Sequence, residues 1–201
     1  MAGQGRTLRA DAARNYERIV DAAVVAFEEA GPAVTLGEIA RRADVSVATV
    51  YRRFRARDQL VRAVFDHVLS TEVEPALGVG TGDPWRDLVG ALEATVAVLA
   101  RRQVVLSLAR ESKAFDVDSV RQCLRTLEHL LRRAIDAGAV RPELEVRDLA
   151  AVLVMALATV HPGDPRCADP RRYLALLADG LRPSQATLPP PSSHDFPAAH
   201  R

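Results

Sequence analysis

The sequence predicts an all-α fold in two helical parts, an N-terminal three-helix module and a C-terminal helical domain. Three observations carry this. Apolar residues recur at spacings of three and four along most of the chain, and no stretch alternates as a half-buried strand does. Aromatics are only 4% of the 201 residues against 48% hydrophobic overall, so the core is built mainly from Ala, Val and Leu, which suits packed helices better than a sheet. A glycine-rich stretch from Gly78 to Pro84 is the best internal boundary.

Taken in order, residues 1–11 are small and basic and are expected to form a disordered arm. Helical spacing begins at Ala12 with Ile19, Ala23, Ala26 and Phe27 on one face, and Gly31-Pro32 stops it. Short helices are expected from Thr35 and from Ser46. A fourth begins near Arg57, carries Leu60, Val64 and Val68, and ends before Pro75. Residues 12–72 thus form one unit. The glycine-rich stretch precedes no Lys-Ser/Thr pair and follows no strand, so it reads as a linker and not a phosphate loop. Residues 82–182 form the second domain. Trp85, Leu88, Leu92, Val96 and Leu99 make one stripe, and Val104, Leu106 and Leu108 lie on a shorter segment. A long helix, capped at Asp116 or Asp118, carries Val120, Leu124, Leu127, Leu131 and Ile135 and closes at Gly138. Residues 145–161 form the most apolar helix. Asp169-Pro170 starts the last one, which holds Tyr173, Leu174, Leu177 and Leu181. Residues 183–201, rich in Pro and Ser, read as a disordered tail.

The net charge is +1, so the charge of the whole molecule favours neither anionic nor cationic partners. Its distribution is more informative: Arg41 to Arg57 holds six arginines (41, 42, 52, 53, 55 and 57) and one acid, Asp44. Such a block suits phosphate binding, and equally a solvated charged face. No apolar run reaches the roughly 18 residues of a membrane span, and the N-terminal residues lack an apolar signal core, so a cytoplasmic protein with no membrane partner is expected. Cys123 and Cys167 lack metal-ligand spacing and read as small buried or half-buried residues. There is no GxSxG, HExxH or Cys/His constellation, so no enzyme, metal or cofactor is expected.

The informative segment is VTLGEIARRADVSVATVYRRF, Val34 to Phe54. Thr35 and Glu38 have capping-box spacing, with Val34 and Ile39 at the flanking staple positions. Ser46 repeats the cap, with Val45 and Val50 at its staple. Helices this short are marginal alone, so Leu36, Ile39, Ala40, Val45, Val50 and Phe54 are expected to share a core with Ile19, Phe27, Leu60 and Val64. That leaves Val47, Ala48, Thr49, Tyr51, Arg52 and Arg53 on a free face. In a helix-turn-helix the N-terminal part of the second helix enters the major groove. Val47, Ala48 and Thr49 are short enough to approach base edges, and Arg52 and Arg53 can reach phosphate or guanine. Tyr51 either donates to a phosphate or packs its ring on the domain. Thr35 is first a cap, with phosphate contact as its second reading.

The segment resembles the TetR family, whose pattern is roughly T-x-x-x-I-A-x-x-A-G-V-S-x-x-T-x-Y-x-x-F, at Thr35, Ile39, Ala40, Ala43, Val45, Ser46, Thr49, Tyr51 and Phe54. The likeness is good over residues 12–72 and looser through 182. It implies a homodimeric transcriptional regulator that binds double-stranded, palindromic operator DNA, with the reading face above joined by Thr35, Ser46 and Arg57. Arg57 would stand in for the family's phosphate-binding Lys. Three departures stand out. Asp44 replaces the turn Gly, and if that residue is left-handed Asp tolerates it better than most residues but less well than Gly. Arg53 replaces a frequent His. Ala56 replaces a Ser cap, at a cost of about 1 kcal/mol.

The resemblance further implies that a small-molecule effector, bound among the C-terminal helices, releases a repressor from DNA. Candidate pocket residues are Trp85, Leu92, Val96, Leu108, Phe115, Cys123, Leu127, Leu130 and Met155, an aliphatic wall that favours a largely apolar ligand. The last two helices resemble those that pair subunits, with Leu149, Val152, Leu153, Ala156, Val160, Tyr173, Leu177 and Leu181 as interface candidates. The alternative is a helical ligand-sensing or scaffold protein that does not bind an operator.

Overall fold

The computed structural model describes residues 2–78, 80–112, 117–159 and 169–190. All the regular structure among them is helical: α1 (Ala2–Ala30), α2 (Leu36–Arg42), α3 (Val47–Arg53), α4 (Arg57–Val68), a π-helical segment (Leu69–Val73), α5 (Glu74–Leu77), α6 (Pro84–Arg101), α7 (Gln103–Glu111), α8 (Val117–Asp136), α9 (Val146–Ala158) and α10 (Pro170–Asp179). The chain forms two compact units, one of residues 1–68 and 102–115, the other of 69–101 and 116–201.

In the first unit α1 packs on α2, α4 and α7, and α2 on α3. Ile19, Val20, Ala23 and Phe27 of α1 meet a core that includes Ile39 and Ala40 of α2, Val50 and Phe54 around α3, and Leu60, Val64 and Phe65 of α4, all fully or nearly buried. Each Val, Leu, Ile and Phe side chain among them contributes about 1.5–3 kcal/mol of apolar burial, which is what holds two seven-residue helices that could not persist alone.

Four expectations change. The helix begins at Ala2, so the segment read as a disordered arm continues α1. The fourth helix does not end before Pro75: a π-helical turn carries it through to Leu77. Proline removes an N–H and crowds the carbonyl four residues back. Here that residue is Thr71, inside the π segment, where the widened turn relieves the crowding. The segment around Val104–Leu108, placed by sequence in the second domain, is α7 and packs on α1 and α4, with the Glu28 carboxylate accepting from the Val105 N–H at 3.2 Å. The tail is held as far as Leu188. Arg141 donates to the carbonyls of Gly180 and Ala186, and Glu143 accepts from the Leu188 N–H.

In the second unit α6 packs on α8, α9 and α10. Leu88, Leu92, Val96, Cys123, Leu127, Leu131, Leu149, Ala156 and Leu174 form its interior. Asp169 caps α10 by accepting from the Arg172 N–H at 3.0 Å, and Gly138 closes α8 at φ +64°, as their sequence positions predict. Asp116 lies outside the described residues, and Asp118 is inside α8. The glycine-rich linker is tied to α6: Asp87, buried on that helix, accepts from the Thr81 N–H at 2.5 Å and the Thr81 hydroxyl at 2.8 Å.

Candidate nucleic-acid interface

The start of each short helix is fixed by a hydroxyl. Thr35 Oγ1 accepts from the Glu38 N–H at 3.2 Å, and Ser46 Oγ from the Thr49 N–H at 3.1 Å. The Ser46 and Thr49 hydroxyls also bond to each other at 2.7 Å. The first capping box is only half made, because Glu38 turns to Arg41 and Arg42 (3.1 and 3.3 Å). Those bonds, Arg42 first, hold the Glu38 carboxyl below its ordinary pKa. Arg42 also grips Glu29 of α1 at 2.6 Å. The N-terminal half of the basic block is therefore paired on the surface of its own unit.

The turn between α2 and α3 is left-handed at Asp44, with φ +50°. Arg18 of α1 reaches across to donate to both the Asp44 carbonyl (3.1 Å) and its carboxylate (3.0 Å). With this turn held, α3 shows solvent the face its cap predicts. Val47 is 45% and Tyr51 55% exposed, and Ala48, Arg52 and Arg53 are exposed beside them. Thr49 is half-buried. At 55% exposure Tyr51 is not buried in the domain. Among the described residues no side-chain bond engages Arg52.

Arg57 is also engaged within its own unit. Its guanidinium donates to the backbone carbonyls of Pro32 and Val34 and lies 5.2 Å from the centre of the Phe27 ring. It satisfies two carbonyls just ahead of the Thr35 cap, so two of its five N–H donors are used within the protein. The missing cap at Ala56 has a partial substitute, since Gln59 Oε1 accepts from the Arg55 N–H at 2.9 Å. Sequence reading missed Tyr16 and Arg18, whose partners Phe54, Arg53 and Asp44 lie one or more helices away. A tyrosine one helical turn before Ile19 was the only local signal for the first.

The C-terminal candidates divide. Leu92, Val96, Cys123, Leu127 and Leu130 lie buried in the second unit. Burial raises the Cys123 thiol to about 11, so it is a packed neutral group. Leu108 belongs to the first unit, Trp85 is half-buried with Arg182 stacked 4.1 Å from its ring centre, and Met155 is exposed. None of these three lies in the interior assigned to it. Phe115 lies outside the described residues. Of the interface candidates, Leu149, Val152, Ala156 and Leu181 are buried within the protomer and have little surface to offer a partner. Leu153 and Leu177 are half-buried, Tyr173 is exposed, and Val160 lies outside the described residues. The exposed apolar face is instead Ala151, Val154, Met155 and Ala158 of α9 with Tyr173 and Leu176 of α10. Among the described residues no acid, His or Cys group could hold a metal, and no helix is long and apolar enough to cross a membrane.

Comparison with known proteins supports the same assignment. Residues 19–64 match the model of bacterial regulatory proteins of the tetR family. Residues 84–183 match that of the SbtR-like transcriptional regulator C-terminal domain. A TetR transcription regulatory protein from Mycobacterium vanbaalenii is similar with 31% identity and a TM-score of 0.60, over 87% of this chain and 99% of that one. A TetR transcriptional regulator from Streptomyces coelicolor is 27% identical, with a TM-score of 0.59, over 84% and 99%. The uncharacterized HTH-type transcriptional regulator TtgW of Pseudomonas putida is 34% identical over 91 residues, which are 43% of this chain and 66% of that relative's length. The matched parts include both the capped helix pair and the C-terminal helices, and the chain belongs to the TetR family of transcriptional regulators, not to an enzyme family.

Proposed function

We propose that the protein is a cytoplasmic repressor that binds a palindromic operator as a homodimer, each subunit laying the exposed face of α3 in the major groove. One observation carries this reading. A helix start fixed by Ser46 presents Val47, Tyr51 and an unengaged Arg52 to solvent together, which combines apolar contact, a phosphate donor and a base-reading cation on one groove-sized face. The test is binding to DNA upstream of the protein's own gene, followed by fluorescence anisotropy across a salt titration. Tight binding should fall steeply with salt. Tyr51→Ala with Arg52→Ala should weaken it by about a thousandfold or more, from two contacts in each subunit worth roughly 1–3 kcal/mol each, without changing oligomeric state. Failure to bind any sequence in a random pool would favour a ligand-sensing protein without an operator.

Dimerisation is assigned to α9 and α10 on the apolar face around Val154, which is 58% exposed, and Leu176, 65% exposed. Exposed apolar side chains at one-turn spacing on both helices are what a partner subunit would cover. Val154→Asp with Leu176→Asp is expected to give a folded monomer by light scattering and to weaken operator binding, since half-sites one helical turn apart need paired subunits. An unchanged dimer would move the interface elsewhere. The effector is assigned to the second unit, where Leu92, Val96, Leu127 and Leu130 make an aliphatic interior suited to an apolar ligand. Ligand and DNA would then weaken each other's binding by one shared factor.

A further inference from the structure

We infer that Tyr16 of α1 is a positioning residue for Arg53, holding that guanidinium at the C-terminal edge of α3 for a backbone phosphate. The inference rests on the proposed reading of α3 as the DNA face. Tyr16 is half-buried, its ring centre 5.8 Å from that of Phe54, the buried residue that ends α3. Phe54 is fixed in turn, because its N–H bonds to the Val50 carbonyl at 2.8 Å. Tyr16 is thus a ring anchored on the core with one face outward, and over it lies the Arg53 guanidinium, 4.8 Å from the ring centre. Arg53 makes no hydrogen bond or ion pair among the described residues. The ring restrains the cation without using its N–H donors, all of which stay available to an anion.

This distinguishes Arg53 from the other arginines around the turn. Arg18, Arg41, Arg42 and Arg57 spend donors on carboxylates or carbonyls of their own unit. Arg52 is unengaged and carries its full rotamer entropy to any contact. Arg53 has its direction fixed in advance, which lowers the entropy lost when it meets a phosphate.

The test uses the full-length protein and a duplex enriched from a random-sequence pool by the wild type, with anisotropy read at several salt concentrations and thermal unfolding run alongside. Arg53→Ala removes one phosphate contact from each subunit of the dimer and is expected to make the dependence of log Kd on log salt shallower by about two. An unchanged affinity and slope would overturn the phosphate contact itself and leave the α3 face to Tyr51 and Arg52. With that contact in place, Tyr16→Leu is expected to weaken binding about threefold, while Tyr16→Phe, which keeps the ring, binds like wild type. In the Arg53→Ala background Tyr16→Leu is expected to do nothing more. An equal loss in both backgrounds, or a Phe variant as weak as the Leu variant, would overturn the positioning role, whatever either substitution does to the melting temperature.

Discussion

Each unit closes one of its turns with an arginine and an aspartate from different parts of the chain, and the two pairs are built very differently. Arg18 meets Asp44 at 3.0 Å in the first unit, with the Asp44 side chain 95% exposed. Arg133 meets Asp87 at 3.2 Å in the second, with the Asp87 side chain 1% exposed. The first turn is already closed by backbone bonds, Asp44 N–H to the Arg41 carbonyl and Val45 N–H to the Ala40 carbonyl. Its carboxylate is an addition in water, where ion pairs are worth about 0–1 kcal/mol. The second loop has its carboxylate at the centre. Thr81 gives it an N–H and a hydroxyl, and Arg133 supplies the countercharge from α8. Two pairs with the same chemistry and nearly the same length therefore do different work: the exposed one trims a turn, and the buried one organises a loop.

Breaking the buried pair should have the larger effect. Asp87→Ala leaves the Thr81 donors and Arg133 without their acceptor, and several degrees of melting temperature should be lost. Acid tests whether charge is responsible. The Thr81 N–H, then its hydroxyl, with Arg133 adding, hold the Asp87 carboxyl below its ordinary value. A carboxylate with a lowered folded pKa contributes its full stability above the unfolded value of about 3.9 and loses it as pH falls through the folded value. The melting-temperature gap between wild type and Asp87→Asn should therefore be widest near neutral pH and narrow below about pH 4. A gap that stays constant from pH 6 to 3 would assign the effect to packing alone.

The same contrast sets what can be read from the sequence. The α3 face is legible because two caps, Thr35 and Ser46, fix the start of each short helix, and a fixed start fixes which residues point outward. Val47, Tyr51 and Arg52 follow from Ser46 by counting. The roles of Arg18, Tyr16 and Arg57 do not follow, because each acts on a partner 20 or more residues away that only the packed unit brings near. The phase of α9 was illegible for another reason. Its sequence VRDLAAVLVMALA is apolar around the whole circumference after Asp148, so no polar side marks the outside. Leu149, Val152 and Ala156 face inward where pairing contacts were expected, and Val154 and Met155 face outward. For α7, nine residues near the second domain in sequence gave no sign that they would pack on α1 and α4.

The exposed pair should give the smallest effect, and its sign is the sharpest test of the comparison. At φ +50° an L side chain is strained and glycine is not, a difference of roughly 1 kcal/mol. Against that gain, Asp44→Gly gives up the solvent-exposed carboxylate pair with Arg18 and adds backbone freedom to the unfolded chain. It keeps the second Arg18 bond, because that one goes to the Asp44 backbone carbonyl at 3.1 Å. The balance favours glycine by a margin below about 1 kcal/mol. Asp44→Ala loses the same carboxylate but retains the strain, so it should fall below wild type. Urea denaturation of the three proteins orders them as glycine at or above wild type, then alanine. A glycine variant with a lower midpoint than wild type would mean that the Arg18 carboxylate pair outweighs the strain at Asp44, and that the exposed clasp carries more of its turn than its 95% exposed aspartate indicates.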